Sequence, residues 1–159
     1  MGAVTSGVLS SLCIDDSQSS TSPGNPVHIW GCDNTDAQSW TIAPNETISA
    51  LGLCLDVIDS RTSNGTLIEL WQCNGTGAQQ WQIKTNGALV NPESGLCLDD
   101  PNSSTTSGTQ LQLYTGNSAD AQDWTLPSRL PLVRALTADQ RWSLGLGRSK
   151  LVRCRGSTA

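Results

Sequence analysis

The sequence predicts an all-β fold built from three repeats around a pseudo-threefold axis. Three observations carry this. First, four landmarks recur in one register: Cys13, Cys54 and Cys97; Trp30, Trp71 and Tyr114; Gln38, Gln79 and Gln122; Trp40, Trp81 and Trp124. Each set is spaced by 41 and then 43 residues. Second, each repeat shows short apolar alternation broken by turn residues, the pattern of short strands in a sandwich or barrel. Third, charged residues make up only 14% of the chain, and Phe is absent. That composition excludes helical bundles and coiled coils, which need long runs of Ala, Leu, Glu and Lys.

The repeats run roughly over 6–43, 44–86 and 87–127. Each holds about four strands. Leu53–Asp56, Leu67–Trp71 and Gln79–Ile83 show the strand pattern in the second copy. Asn64-Gly65, Asn74-Gly75 and Asn86-Gly87 are the turn signals between such runs, because Asn and Gly tolerate positive φ. One copy cannot bury its apolar face alone, so three must close on each other. Trp40, Trp81 and Trp124 recur with the strand pattern and are expected in the core.

Beyond Pro127 the register stops. Residues 128–159 form a basic C-terminal tail with 7 basic residues and one acid, Asp139. It reads as a disordered extension or a segment foreign to the domain, since unsupported termini fray. The body, residues 1–127, holds 2 basic and 13 acidic residues, a balance of −11. An acidic body repels phosphate, which argues against nucleic acid as a partner. No apolar stretch is long enough to cross a membrane as a helix.

Cys13 and Cys32 are 19 residues apart, as are Cys54 and Cys73. Equal spacing in two repeats predicts the same disulfide twice, bracing a small repeat with a thin core. In the third repeat Gly116 replaces the partner. Cys97 is then either a buried thiol or paired with Cys154 in the tail. No C-x-x-C pair exists and His28 is the lone histidine, so no metal and no cofactor are expected. Disulfides place the chain in an oxidising, extracellular compartment. The sequons at Asn45, Asn64, Asn74 and Asn102 agree weakly with that. Met1 begins no signal peptide, so secretion implies a removed leader or a longer parent chain. Met1-Gly2 with Ser6 fits a myristoylation pattern, which the disulfides argue against.

The triplets Gln38-Ser39-Trp40, Gln79-Gln80-Trp81 and Gln122-Asp123-Trp124, with the C-[IL]-D triplets before them, resemble the ricin B-chain type lectins. The resemblance covers about Ser6 to Pro127. It implies a β-trefoil that binds sugars without catalysis, often as a module of a glycoside hydrolase. It also implies roles. The C-x-D aspartates, Asp15, Asp56 and Asp99, would accept sugar hydroxyls. Trp30, Trp71 and Tyr114 would stack on the C–H face of the ring. His28, Glu69 and Gln112 sit two before the aromatics. Asp33, Asn74 and Asn117 would add polar contacts, and Gln38, Gln79 and Gln122 would complete each site. The expected partners are galactose- or xylose-containing glycans, for a monomer or a module of a larger enzyme.

Chemistry fits this: a sugar needs an aromatic plane for its C–H face and carboxylates or amides for its hydroxyls. Each residue also has a plainer reading. The glutamines would bond backbone beneath the site. The aspartates would cap turns. The aromatics would pack on the disulfides. Ala37, Ala78 and Ala121 stand where the ricin-like motif often has Asn, which removes a hydrogen bond worth about 1–3 kcal/mol if nothing replaces it. Glu69 makes the second site acceptor-only. The alternative function is a protein-interaction or inhibitor module whose sugar sites have decayed. Catalysis is not expected. There is no Ser/His/Asp set or phosphate loop, and Asp15-Asp16 and Asp99-Asp100 are adjacent strand residues that face opposite ways.

Overall fold

A computed structural model of the chain describes residues 1–128. The basic tail from Arg129 and Cys154 lie outside the described residues. Twelve short strands, four per repeat, carry the fold. The first repeat contributes β1 (Thr5–Ser6), β2 (Leu12–Asp16), β3 (Asn25–Gly31) and β4 (Thr41–Ile42). The second contributes β5 (Ile48–Ala50), β6 (Leu53–Val57), β7 (Ile68–Trp71) and β8 (Gln82–Ile83). The third contributes β9 (Leu89–Asn91), β10 (Leu96–Asp99), β11 (Gln112–Tyr114) and β12 (Trp124–Thr125). The architecture is a β-trefoil.

Three equivalent hairpins, β2–β3, β6–β7 and β10–β11, share one register. It places Cys13 opposite Trp30, Cys54 opposite Trp71 and Cys97 opposite Tyr114. Two residues on, Asp15 faces His28, Asp56 faces Glu69 and Asp99 faces Gln112. Because side chains alternate along a strand, both pairs of each hairpin lie on one face. The hairpins then meet one another. Strand β3 pairs with β7 through Asn25 and Leu70. The amide of Leu111 donates to Val27 and that of Ile68 donates to Leu111 (3.0 and 3.1 Å). Three hairpins thus close a ring, with β12 returning to β1 through Thr5 and Thr125.

The core lies inside this ring. Val27, Ile29, Leu55, Ile68, Leu70, Leu98, Leu111 and Leu113 are buried, as are the three repeated tryptophans. Trp40, Trp81 and Trp124 are 1%, 0% and 3% exposed. Each indole also needs an acceptor once buried. It finds one in its own repeat, with Nε1 donating to the carbonyls of Ile14 (2.8 Å), Leu55 (3.0 Å) and Leu98 (3.2 Å). The Trp therefore fixes the floor strand and the return strand together.

Two details depart from the sequence reading. The segment Gln79–Ile83 is not one strand: Gly77–Gln79 forms a 3-10 turn, and the strand begins at Gln82. The same turn recurs at Asp36–Gln38 and Asp120–Gln122. An extended chain would point Gln79 and Trp81 to the same side, whereas the turn sends the amide under the site and the indole into the core. A second set of 3-10 turns, Ser17–Ser19, Ile58–Ser60 and Pro101–Ser103, follows β2, β6 and β10. No alternation announces them.

The disulfides Cys13–Cys32 and Cys54–Cys73 are both formed. Cys97 is fully buried and also disulfide-bonded.

Candidate functional site

Each hairpin carries an open pocket at the end where its 3-10 turns lie. The first is lined by Asp15, Asp16, Ser17, Gln18, Ser19, His28, Trp30, Asp33 and Thr35. The second and third repeat this set. Asp56, Asp59, Ser60, Glu69, Trp71, Asn74 and Thr76 line one. Asp99, Asn102, Ser103, Gln112, Tyr114 and Asn117 line the other. The structure therefore brings together the C-x-D carboxylate, the aromatic and the residue after the second cysteine position in every repeat.

The aromatics are walls, not core. Trp30, Trp71 and Tyr114 are 44%, 41% and 40% exposed, among the few large apolar side chains left open. An open aromatic face beside a carboxylate offers both an apolar plane and a hydrogen-bond acceptor to a ligand. Two of these walls are backed by another repeat. A Cβ on Gly24 would lie 3.4 Å from the Trp71 ring, and one on Gly108 would lie 3.7 Å from the Trp30 ring. Both glycines sit at positive φ, where other residues are strained. In the first pocket His28 also stacks on Trp30, with ring centroids 5.4 Å apart.

The glutamines Gln38, Gln79 and Gln122 lie beneath the pockets, fully buried. Each spends all its polar atoms internally. Gln79 Nε2 donates to Asp56 Oδ2 (2.7 Å) and to the Gln72 carbonyl (2.9 Å), while its Oε1 accepts from the Asn74 amide (2.9 Å). Gln38 makes the same three bonds to Asp15, Gly31 and Asp33. Gln122 makes them to Asp99, Thr115 and Asn117. One amide thus sets the carboxylate, the end of the hairpin and the loop carrying the third polar residue. The tight turn before each Q-x-W tryptophan exists to place it. Ala37, Ala78 and Ala121, just before these glutamines, are buried in the same turn.

Asp33, Asn74 and Asn117 hold their own loops as well as facing the pockets. Asp33 Oδ1 accepts from the amide (3.0 Å) and hydroxyl (2.8 Å) of Thr35. Asn74 does the same with Thr76 at the same distances, and Asn117 accepts from the Ala119 amide (2.9 Å). Their remaining oxygen or amide nitrogen is left for the pocket.

The first and third aspartates have a second internal donor. His28 Nε2 donates to Asp15 Oδ1 (2.8 Å) and Gln112 Nε2 donates to Asp99 Oδ2 (2.8 Å). In the second pocket Glu69 takes that place. Burial, then Asp56 and Asp59, push the Glu69 carboxyl above its usual range. Burial also raises Asp56, which the Gln79 bond partly offsets.

Sequence reasoning passed over Gln18, Asp59 and Asn102. They line the pockets from the 3-10 turns after each C-x-D strand. All three are left-handed, with φ of 61°, 56° and 58°, and each is followed by a left-handed serine, Ser19, Ser60 or Ser103. The signal was present: a polar residue and then Ser stand five and six positions after Cys13, Cys54 and Cys97.

Beneath two pockets lies a second carboxyl. Asp16 and Asp100 are fully buried, where the second repeat has Val57. Asn25 Nδ2 donates to Asp16 and to the Ser17 carbonyl. Neither oxygen of Asp100 has a donor at hydrogen-bond geometry. Burial outweighs the help of the Ser104 amide and, with Asp99 nearby, pushes its carboxyl up to about 6. Among the described residues no group of His, Cys, Asp or Glu is arranged to hold a metal.

A β-trefoil with a carboxylate-plus-aromatic pocket on each of three repeats defines a class of binding domain. The profile of the ricin-type beta-trefoil lectin domain matches residues 1–124, and the chain belongs to that family. Among solved structures, it is similar to ThreeFoil, a designed 3-fold symmetric protein (27% identity, TM-score 0.73, covering 77% of this chain and 94% of that one). It is similar to the agglutinin from Abrus precatorius (27% identity, TM-score 0.70, 78% of this chain and 46% of that one). A non-toxic homologue of type II RIPs from Momordica charantia, solved with alpha-methyl-D-galactoside, matches equally (27% identity, TM-score 0.70, 78% and 46%). The chain thus spans about half the length of each plant protein. No curated protein sequence matches it.

Proposed function

We propose that this lectin domain binds carbohydrate without catalysis, through shallow sites numbering up to one per repeat, on galactose- or xylose-containing glycans. The observation that carries the reading is the convergence of Asp56, Trp71 and Asn74 on one open pocket with the indole two-fifths exposed, repeated in the other two copies. A decayed site used for protein interaction would have no reason to keep three buried glutamines holding three carboxylates at the pocket floor. The Momordica relative's galactoside complex supports galactose as the first sugar to try. Xylose rests on the wider resemblance of the sequence motif alone.

Such sites are shallow and each is weak. Several engaging one polysaccharide raise avidity through effective concentration, whether the domain acts alone or as a module of a larger protein. The two disulfides support a secreted location. The test is a glycan array probed with the full chain and, in parallel, with residues 1–127. Galactose- or xylose-bearing glycans are expected to retain wild type, with weaker retention of Asp56→Ala and Trp71→Ala. Background-level retention of wild type on every glycan refutes the proposal.

A further inference from the structure

One bond sets the second pocket apart from the other two. His28 and Gln112 each give their neighbouring aspartate a proton donor at 2.8 Å. Glu69, directly opposite Asp56 across the β6–β7 pair, has none to give as a carboxylate. Asp56 therefore accepts only from Gln79, at Oδ2. Its Oδ1 has no internal donor, although the residue is just 6% exposed and lines the pocket. No donor among the described residues reaches Glu69 either. Asp59 adds a third carboxylate to the lining. Its partner Arg61, at 3.1 Å, is exposed and does not line the pocket. Like charges directly opposed on neighbouring strands repel, and burial raises both carboxyls. The second pocket is short of one donor and one positive charge.

We propose that the second site selects a sugar bearing a free primary amine, a hexosamine without an N-acetyl group, its ammonium seated between Asp56 Oδ1 and Glu69 and its ring stacked on Trp71. This deepens the carbohydrate-binding reading and rests on it. An ammonium has three donors and no acceptor, the complement of an acceptor-only pair. It fills the place that His28 and Gln112 fill from within the chain. Trp71 selects for a sugar ring over a bare amine, since its open face needs a C–H surface to cover it. Acetylation removes the charge and puts a carbonyl where two carboxylates stand, so the N-acetyl sugar is disfavoured.

The test is an NMR titration of the full chain, following the indole N–H signals of Trp71 and Trp30. The probes are the methyl glycosides of glucosamine and galactosamine, their N-acetyl forms, and the parent glucose and galactose. The buffer is held near about pH 6, where a sugar amine is protonated and free carboxylates are charged. At Trp71 at least one amine glycoside is expected to bind about tenfold or more tighter than its acetylated and neutral counterparts, the discrimination of one charge-assisted hydrogen bond. Trp30 should show no such preference. Glu69→Gln copies Gln112 and should bring amine and neutral glycosides to the same affinity at Trp71. Gln112→Glu, added to Glu69→Gln, should create the preference in the third site, read at Tyr114. Equal binding of amine and neutral glycosides at Trp71 overturns the inference and leaves the carbohydrate reading intact. An amine preference that survives Glu69→Gln, or that Trp30 shares, marks diffuse attraction to an acidic surface and overturns it too. No binding by any glycoside overturns the inference, and the glycan array then decides the carbohydrate reading.

Discussion

Gln79 donates its side-chain amide to Asp56 at 2.7 Å, across 23 residues of sequence, and through that one bond the pocket floor of the second repeat is set. The amide has no slack, because its other proton and its oxygen are held by the Gln72 carbonyl and the Asn74 amide. Gln79→Ala is expected to cost about 2–4 kcal/mol, the penalty for leaving several buried polar groups without partners. Urea denaturation measures it. Sugar binding at the second site should fall with it, since Asp56 and the Asn74 loop lose their common anchor.

The two tryptophan sets should separate cleanly. Trp81 is fully buried and donates to Leu55, so Trp81→Ala is expected to cost about 3–5 kcal/mol and to lower the melting temperature strongly. Trp71 is 41% exposed, so Trp71→Ala should cost less than about 1.5 kcal/mol yet weaken glycan retention. Calorimetric melting paired with a glycan array checks both. Equal stability losses would contradict the division of roles.

Two glycines at similar φ should behave very differently. At Gly87 (φ +87°) a Cβ would stand 1.8 Å from the Trp124 carbonyl oxygen, whereas at Gly52 (φ +80°) it would meet nothing within 4 Å. Gly52→Ala bears only the left-handed backbone cost, about 1–2 kcal/mol. Gly87→Ala adds a clash with backbone that cannot move aside, and soluble folded protein is expected to drop sharply. Circular dichroism melts of the two variants side by side make the comparison.

Acid should stabilise this domain over a limited window. The Asp100 carboxyl is raised to about 6 in the folded state against an ordinary value of 3.8. The folded chain therefore binds a proton that the unfolded chain releases, and stability rises as pH falls from about 6 towards about 4. Asp16, Asp56 and Glu69 are raised as well and add in the same direction. Asp100→Val, which copies Val57, should be more stable than wild type near neutral pH and should show a smaller gain on acidification. Urea midpoints across this range read both effects.

Much of this was legible in the sequence, for physical reasons that differ by residue. Trp81 announced itself because a large apolar group recurring in register has to be buried somewhere. The pairing of Cys54 with Cys73 followed from equal spacing in two copies. Asp56 and Trp71 were legible as neighbours through the resemblance to ricin-type lectins, and the hairpin register of period two is what keeps them on one face. The turn at Gly77–Gln79 was not, since a five-residue run with alternating polarity reads as a strand whether or not a buried amide must bend it. Asp59 was missed because left-handed backbone leaves no hydrophobic trace. The burial of Asp100 was hidden too, as adjacent acids read as solvated when the loop that covers one of them is distant in sequence.

The glycines behind the aromatic walls bear on how such a domain is inherited. Gly24 of the first repeat stands against the Trp71 ring and Gly108 of the third against the Trp30 ring. A single repeat cut loose would keep its carboxylate and its ring but lose the surface that backs the ring. Descent by triplication would thus have gained the backing of these two rings only once copies stood side by side. For protein engineers the same geometry means that a pocket cannot be transplanted as one hairpin. It has to travel with the turn of its neighbour.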